Sequence, residues 1–132
     1  LIYLKKKIKN RKKNIKNFLL DQNFVSGIGN IYANEILFFC KIKPYKKSGN
    51  LKISDLRNLI IFSRAVLKKA IKKGGSSIQN FVNIDGKSGS FQNNFKVYQR
   101  ENLKCLRNNC KGIIKKKKLS NRSIFYCKIC QK

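Results

Sequence analysis

Between Tyr3 and Leu20 the apolar residues Leu4, Ile8, Ile15, Phe18 and Leu19 recur at roughly helical spacing among many lysines. The pattern predicts two short basic amphipathic helices, broken near residues 10–13. Val25-Ser26-Gly27-Ile28-Gly29-Asn30 follows, a turn signal of two glycines ahead of a good capping residue. Ile31 to Cys40 reads as a mostly apolar helix, ended around Lys43-Pro44. After the loop Ser48-Gly49-Asn50, Ser54 is the expected N-cap of a long helix running to Lys73. Its expected buried side is Leu56, Leu59, Ile60, Ser63, Val66, Leu67, Ala70 and Ile71. Gly74-Gly75 should stop it, because glycine adopts the left-handed conformation that ends helices.

The character then changes. Asp85 to Asn94 contains Gly86, Gly89 and several polar residues and is expected to be a loop, while Phe95–Tyr98 and Ile124–Tyr126 are expected to be short strands. The cysteine-bearing segment lies between those strands, with the charge run Lys115 to Lys118. The chain therefore divides into a helical module over residues 1–84, a loop over 85–95 and a small β module over 96–132.

Charge narrows the function. The 132 residues carry 32 Lys and Arg against 5 Asp and Glu, a formal net charge of +27, with 42% hydrophobic residues to fold around. So much positive charge repels itself unless a polyanion is present, and nucleic acid is the polyanion expected. A membrane surface is one alternative. Another is the Lys, Asn and Ile bias of an A+T-rich coding sequence, although the same bias would also raise Glu, of which there are only two. No apolar run approaches the ~18 residues of a membrane span, and the first residues do not form a secretory signal. With no histidine, triads and metal sites built on that residue are excluded. The acids Asp21, Glu35, Asp55, Asp85 and Glu101 stand singly, which argues against a paired-carboxylate mechanism. The chain has no initiating Met and reads as a fragment or processed piece.

Cys105, Cys110, Cys127 and Cys130 form C-x4-C and C-x2-C pairs with 16 residues between them. Such pairs on tight turns can present four thiolates to one Zn²⁺, whose binding would supply much of the folding energy of so small a module. Two disulfides are the alternative, and free thiols a further one. Cys40, at the end of an apolar helix, is expected in the core. In Gly27-x-Gly29-Asn30, glycines before a helix can let a phosphate approach free N–H groups, with Asn30 capping the helix or donating its amide. An ordinary turn and cap explains the same residues. Lys16, upstream, could add charge there or be one more solvated lysine.

Taken together, Ile15-Lys16-Asn17-Phe18-Leu19-Leu20-Asp21-Gln22 and the stretch Val25 to Glu35 closely resemble the helix–two-turn–helix domain of formamidopyrimidine-DNA glycosylases. The match continues through Gly74-Gly75-Ser76-Ser77, Phe81, Asp85 to Phe91, Val97-Tyr98-Gln99-Arg100, Arg122 and Phe125 to Lys132, over nearly the whole chain. The resemblance implies a mainly α helix–two-turn–helix bundle followed by a small zinc-bound β-hairpin module. It also implies that the β-sandwich domain carrying the family's catalysis is missing from this chain. The implied activity is base-excision repair: removal of oxidised purines such as 8-oxoguanine and formamidopyrimidines, then β,δ-elimination at the abasic site. The implied partner is double-stranded DNA with oxidised bases or abasic sites, met by a monomer in the bacterial cytoplasm, with the nucleoid.

Residue by residue, the resemblance assigns Lys16, Asn30 of the Gly29-Asn30 turn, and Arg122 to phosphates around the lesion, and Tyr98 to the DNA backbone. The loop containing Gly86, Lys87, Gly89 and Phe91 is assigned to closure over a flipped base, and Cys105, Cys110, Cys127 and Cys130 to one structural Zn²⁺. Glu35 matches a helix glutamate and is read as structural. Family members attack with an N-terminal proline amine assisted by a glutamate, whereas this chain begins Leu1-Ile2 and its one proline is Pro44. No catalytic residue is therefore assigned, and the segment alone is expected to bind DNA without chemistry. The first knuckle also departs from the family's usual C-x2-C. The alternatives are a non-catalytic zinc-ribbon binder of nucleic acid and the related pyrimidine-excising branch, against which the Gly86 to Phe91 loop argues.

Overall fold

In the computed structural model, which describes residues 1–74 and 94–132, four helices precede one hairpin. They are α1 (Ile2–Ile8), α2 (Ile15–Leu20), α3 (Asn30–Phe39) and α4 (Ile53–Lys72), with a 3-10 turn at Ser48–Asn50. The hairpin pairs β1 (Ile114–Leu119) with β2 (Arg122–Cys127), antiparallel, in the register Ile114 to Cys127 and Leu119 to Arg122. This is the mainly α architecture with a small terminal β unit that the sequence pattern predicts. No described helix is long and apolar enough to cross a membrane.

The break between α1 and α2 falls where polar residues interrupt the apolar spacing, with Asn10 left-handed at φ 59°. Asn14 caps α2 by accepting the Asn17 N–H at 2.8 Å, a contact worth about 1 kcal/mol. Gly27, at φ +91°, makes the turn before α3 that a side chain would strain. Asn30 is the first residue of α3 and Gly29 its N-cap, one position earlier than expected.

The start of α4 corrects a second expectation. Lys52 is its N-cap and Ser54 lies inside the first turn, because the Asp55 carboxylate reaches back to accept the Lys52 N–H at 2.9 Å. Leu56, Leu59, Val66 and Ala70 are buried as expected, but Ile71 is 78% exposed. In the last turn of this 20-residue helix, about 30 Å long, Ala70 faces the core and Ile71, the next residue round, turns outward. Gly74, at φ +77°, ends it.

Phe95–Tyr98 is not a strand. These residues form a turn, because the backbone N–H groups of Lys96, Val97 and Tyr98 are taken by the Glu35 carboxylate rather than by a neighbouring strand. The partner of β2 is instead the lysine run, Lys115 to Lys118 within β1. Four consecutive exposed lysines hide the strand from a hydropathy pattern, while β2 buries Ile124 to Cys127 in succession because both of its faces are covered.

Two apolar cores meet at the C-terminal end of α3. One gathers Ile15, Phe18, Ile36, Leu37, Leu56 and Leu59, with Cys40 also inside it. The other gathers Val97, Ile114, Phe125 and the cysteines around Phe38. The chain end straps the second to the first. Gln131 accepts the Cys127 N–H and donates to the Ile42 carbonyl, both at 2.8 Å, and the Lys132 N–H reaches the Lys41 carbonyl.

Candidate nucleic-acid interface and metal centre

Three side chains from two helices converge on one backbone oxygen of the hairpin. Lys16 Nζ of α2 donates to the Ser123 carbonyl at 3.0 Å, Asn30 Nδ2 of α3 at 3.3 Å and Asn34 Nδ2 at 3.4 Å. Asn34 also donates to the Asn30 carbonyl and accepts the Phe125 N–H at 3.0 Å, so a fully buried amide cross-links α3 to β2. At the hairpin tip Ser120 and Asn121 are both left-handed, a two-residue turn of the type that matches strand twist, and Asn17 Nδ2 donates to Ser120 Oγ at 2.8 Å. The turn sets Arg122 exposed at the start of β2.

Electrostatically the knot is unbalanced. Lys16 is fully buried, and its amine is pushed down to about 8, first by burial and then by the neighbouring positive charge of Arg122. No acid among the described residues donates compensating charge to it. Asn30 Oδ1 is buried and accepts no hydrogen bond from a described residue. Gly29 is exposed, with φ −96°, and a Cβ there would meet nothing within 4 Å. The fold itself thus has no need of glycine at that position; close approach of an outside group would.

Glu35 is fully buried and holds the far side of the same helix to the finger. Its carboxylate accepts the N–H of Lys96 at 2.7 Å and those of Val97 and Tyr98 at 2.9 Å. Burial pushes the carboxyl up, against the opposing pull of those three donors. The half-buried ring of Tyr98 is thereby set edge-on between Phe95 and Phe125.

The four finger cysteines come together despite the longer first knuckle. Their sulfurs all lie within 4.8 Å of one another, with Cys105 and Cys130 at 3.8 Å and Cys110 and Cys127 at 3.6 Å. Tetrahedral metal–thiolate bonds of ~2.3 Å require sulfurs ~3.8 Å apart, whereas a disulfide needs ~2.0 Å, so the cluster fits one metal ion and is unbonded. The first knuckle absorbs its two additional residues in a turn closed by the Cys110 N–H on the Arg107 carbonyl, with Asn109 left-handed at φ 63°. At Gly112 any side chain would run into Cys127 Sγ and Ile129, and its N–H donates to Cys110 Sγ at 3.4 Å.

The structure therefore brings Gly29, Asn30 and Arg122 together with Lys16 buried behind them, Tyr98 reached from there through Phe125, and the four cysteines to one point. Gly86, Lys87, Gly89 and Phe91 lie outside the described residues, as does the 84/85 boundary. Sequence reasoning missed Asn34, Asn17 and Arg107. Asn34 could have been noticed as a polar residue one turn beyond Asn30 on a mostly apolar helix; Arg107 carried no signal beyond its place between two cysteines.

These features define a helix–two-turn–helix domain joined to a four-cysteine metal finger. The family model of the formamidopyrimidine-DNA glycosylase H2TH domain matches residues 1–82, and the chain belongs to that family. It is 47% identical over 131 residues to a formamidopyrimidine-DNA glycosylase of Rickettsia canadensis, covering 99% of this chain and 47% of the relative. It is likewise 47% identical over 132 residues to that of Rickettsia bellii, covering 48% of it. Among solved structures, the Lactococcus lactis enzyme in complex with abasic-site DNA superposes with a TM-score of 0.88 at 37% identity, over 98% of this chain and 46% of that one. The same enzyme with Fapy-dG-containing DNA gives 0.86 at 37% identity, again over 98% and 46%. The chain thus spans about half the length of the relatives it matches.

Proposed function

We propose that this chain is the DNA-binding part of a formamidopyrimidine-DNA glycosylase, which grips duplex DNA at oxidised bases or abasic sites. The observation that carries the reading is the convergence of Lys16, Asn30 and Asn34 on the Ser123 carbonyl beside exposed Arg122. A phosphate oxygen set against Gly29 would meet Arg122 and Asn30 first. Lys16, covered and held on Ser123, adds its charge from behind and is reached directly only when the side chains over it shift. An anion there would relieve the repulsion between Lys16 and Arg122, which is why a phosphate suits a place where the fold has gathered cations without acids. Tyr98 extends the surface along the backbone. The loop holding Gly86, Lys87, Gly89 and Phe91 serves closure over an extruded base.

Zn²⁺ is the metal that four thiolates in a tetrahedron suit, and it is held by Cys105, Cys110, Cys127 and Cys130 as a structural ion. Its role is to fold the finger and so to present Arg122. The full-length enzyme removes oxidised purines and cleaves the strand at the abasic site, in the bacterial cytoplasm with the nucleoid. That chemistry needs an amine nucleophile and its acid, and Pro44, mid-chain, supplies neither. This segment alone binds without cutting.

Fluorescence anisotropy with a short labelled duplex tests the reading. Binding that is tighter to an abasic-site analogue than to intact duplex, steeply weakened by salt and unaccompanied by cleavage, is the expected result. Equal, salt-insensitive binding to both duplexes would sink it.

A further inference from the structure

The two residues by which the first knuckle exceeds C-x2-C do more than lengthen a turn. Arg107, in that knuckle, makes three contacts with two different parts of the molecule. Its Nε–H donates to Cys130 Sγ at 3.3 Å, its second arm donates to the carbonyl of Phe38, and its guanidinium carbon lies 4.2 Å from the centre of the Phe38 ring. Phe38 belongs to the last turn of α3, whose first residue is Asn30, and it is the helix residue around which the finger core is built. Cys130 is the most exposed member of the thiolate cluster, the other three being buried. A metal ion is lost most readily through its most accessible ligand, and that is the ligand Arg107 covers.

We propose that Arg107 is a positioning residue that locks the metal finger to the C-terminal end of α3. Its planar fork holds the Cys130 thiolate and Phe38 together, so metal occupancy and finger docking are one event. The proposal rests on the reading of the four cysteines as a Zn²⁺ site. Four thiolates around one divalent cation leave a net charge of −2, and a cation donating to one sulfur offsets part of it in a half-buried place. Only a guanidinium reaches sulfur, carbonyl and ring face at once; an ammonium at the same position keeps the charge but is a point donor without a planar face. The lysines nearby, Lys104 and Lys111, are exposed.

The test compares the Zn²⁺-loaded chain with Arg107→Ala and Arg107→Lys, without DNA. Zinc release to excess chelator should be about 10-fold faster in both variants, lysine failing to restore the wild-type rate. In the Co²⁺-loaded proteins the thiolate-to-metal charge-transfer band should move to longer wavelength, because Cys130 has lost a donor; a purely structural role would leave that band in place. Hydrogen exchange at Phe125, on the docked face, should quicken in both variants with metal still bound. Unchanged release and an unmoved band in both variants would overturn the proposal while leaving the zinc reading intact. Full rescue by lysine would also overturn it, since charge alone would then suffice. A wild-type chain that takes up no Zn²⁺ would overturn both readings together.

Discussion

Lys16 and Ser123 stand 107 positions apart and are joined by a 3.0 Å hydrogen bond from a buried ammonium to a backbone carbonyl. With the Asn17–Ser120 bond beside it, it fastens the second helix to the hairpin whose second strand begins with Arg122, and so places the two cations assigned to phosphate relative to each other. Arg122→Ala should weaken binding to an abasic-site duplex about 10-fold and lower the slope of log K against log salt by about 1, one phosphate contact being lost. Anisotropy titrations at four salt concentrations give both quantities. A weaker affinity with an unchanged slope would place Arg122 away from phosphate.

The Lys16 amine, brought down from the ordinary 10.5 to about 8, makes binding depend on pH. Bound phosphate favours the ammonium and raises its pKa, so affinity should fall as pH climbs above about 8, by up to one log unit per pH unit. Stability of the free chain moves the other way. Between about 8 and 10.5 the unfolded chain holds the proton that the folded chain has released, so folding is favoured increasingly as pH rises. Lys16→Met should flatten both profiles, as read by titrations and urea melts from pH 7 to 10.

Glu35 anchors three backbone donors, and Glu35→Gln replaces a charged acceptor by an amide whose NH₂ opposes them. Urea denaturation should show a loss of about 2–3 kcal/mol. Tyr98, released from its seat, should lose protection of its N–H in hydrogen exchange. A neutral substitution would mean that the 96–98 turn is held by packing alone.

Asn34→Ala leaves the buried Phe125 N–H without an acceptor and should cost about 2 kcal/mol. Asn34→Asp keeps that acceptor but loses the donor to the Asn30 and Ser123 carbonyls. It also sets a negative charge behind the phosphate face, so it should be milder in stability and at least as damaging to DNA affinity. Urea melts and anisotropy on the same pair of variants separate the two effects.

The finger should take up one Zn²⁺ per chain and lose the β1–β2 hairpin when a chelator removes it, as followed by circular dichroism and amide exchange. Gly112→Ala forces a methyl group against Cys127 Sγ and should weaken metal binding about 10-fold or more. Competition with a chromophoric chelator measures this directly.

Much of this was legible along the chain. Apolar spacing located α1, α2, α3 and α4 to within a residue or two, since a helix that buries one face must repeat its apolar residues. The cysteine spacing located the four sulfurs that cluster closely enough to hold a metal ion, because residue type and pairing are local properties, and the glycines at 27 and 29 marked the turn before α3. The resemblance picked out Lys16, Asn30 and Arg122 by type and order.

Contacts between distant segments were decided only by the fold. Phe95–Tyr98 looked like a strand by composition, yet its N–H groups belong to Glu35, some 60 positions earlier. Lys115 to Lys118 read along the chain only as a charge run, yet they pair with β2, because a strand with a solvated outer face can be written in lysine. Ile71 fitted the buried stripe of α4, yet it lies at the margin of that stripe and is exposed next to buried Ala70. Asn34 and Arg107 show no periodicity and no spacing, and their roles rest on Phe125, Phe38 and Cys130. Local rules determine what each segment of this protein can become; which unpaired donor meets which acceptor is settled only when the packed cores bring them together.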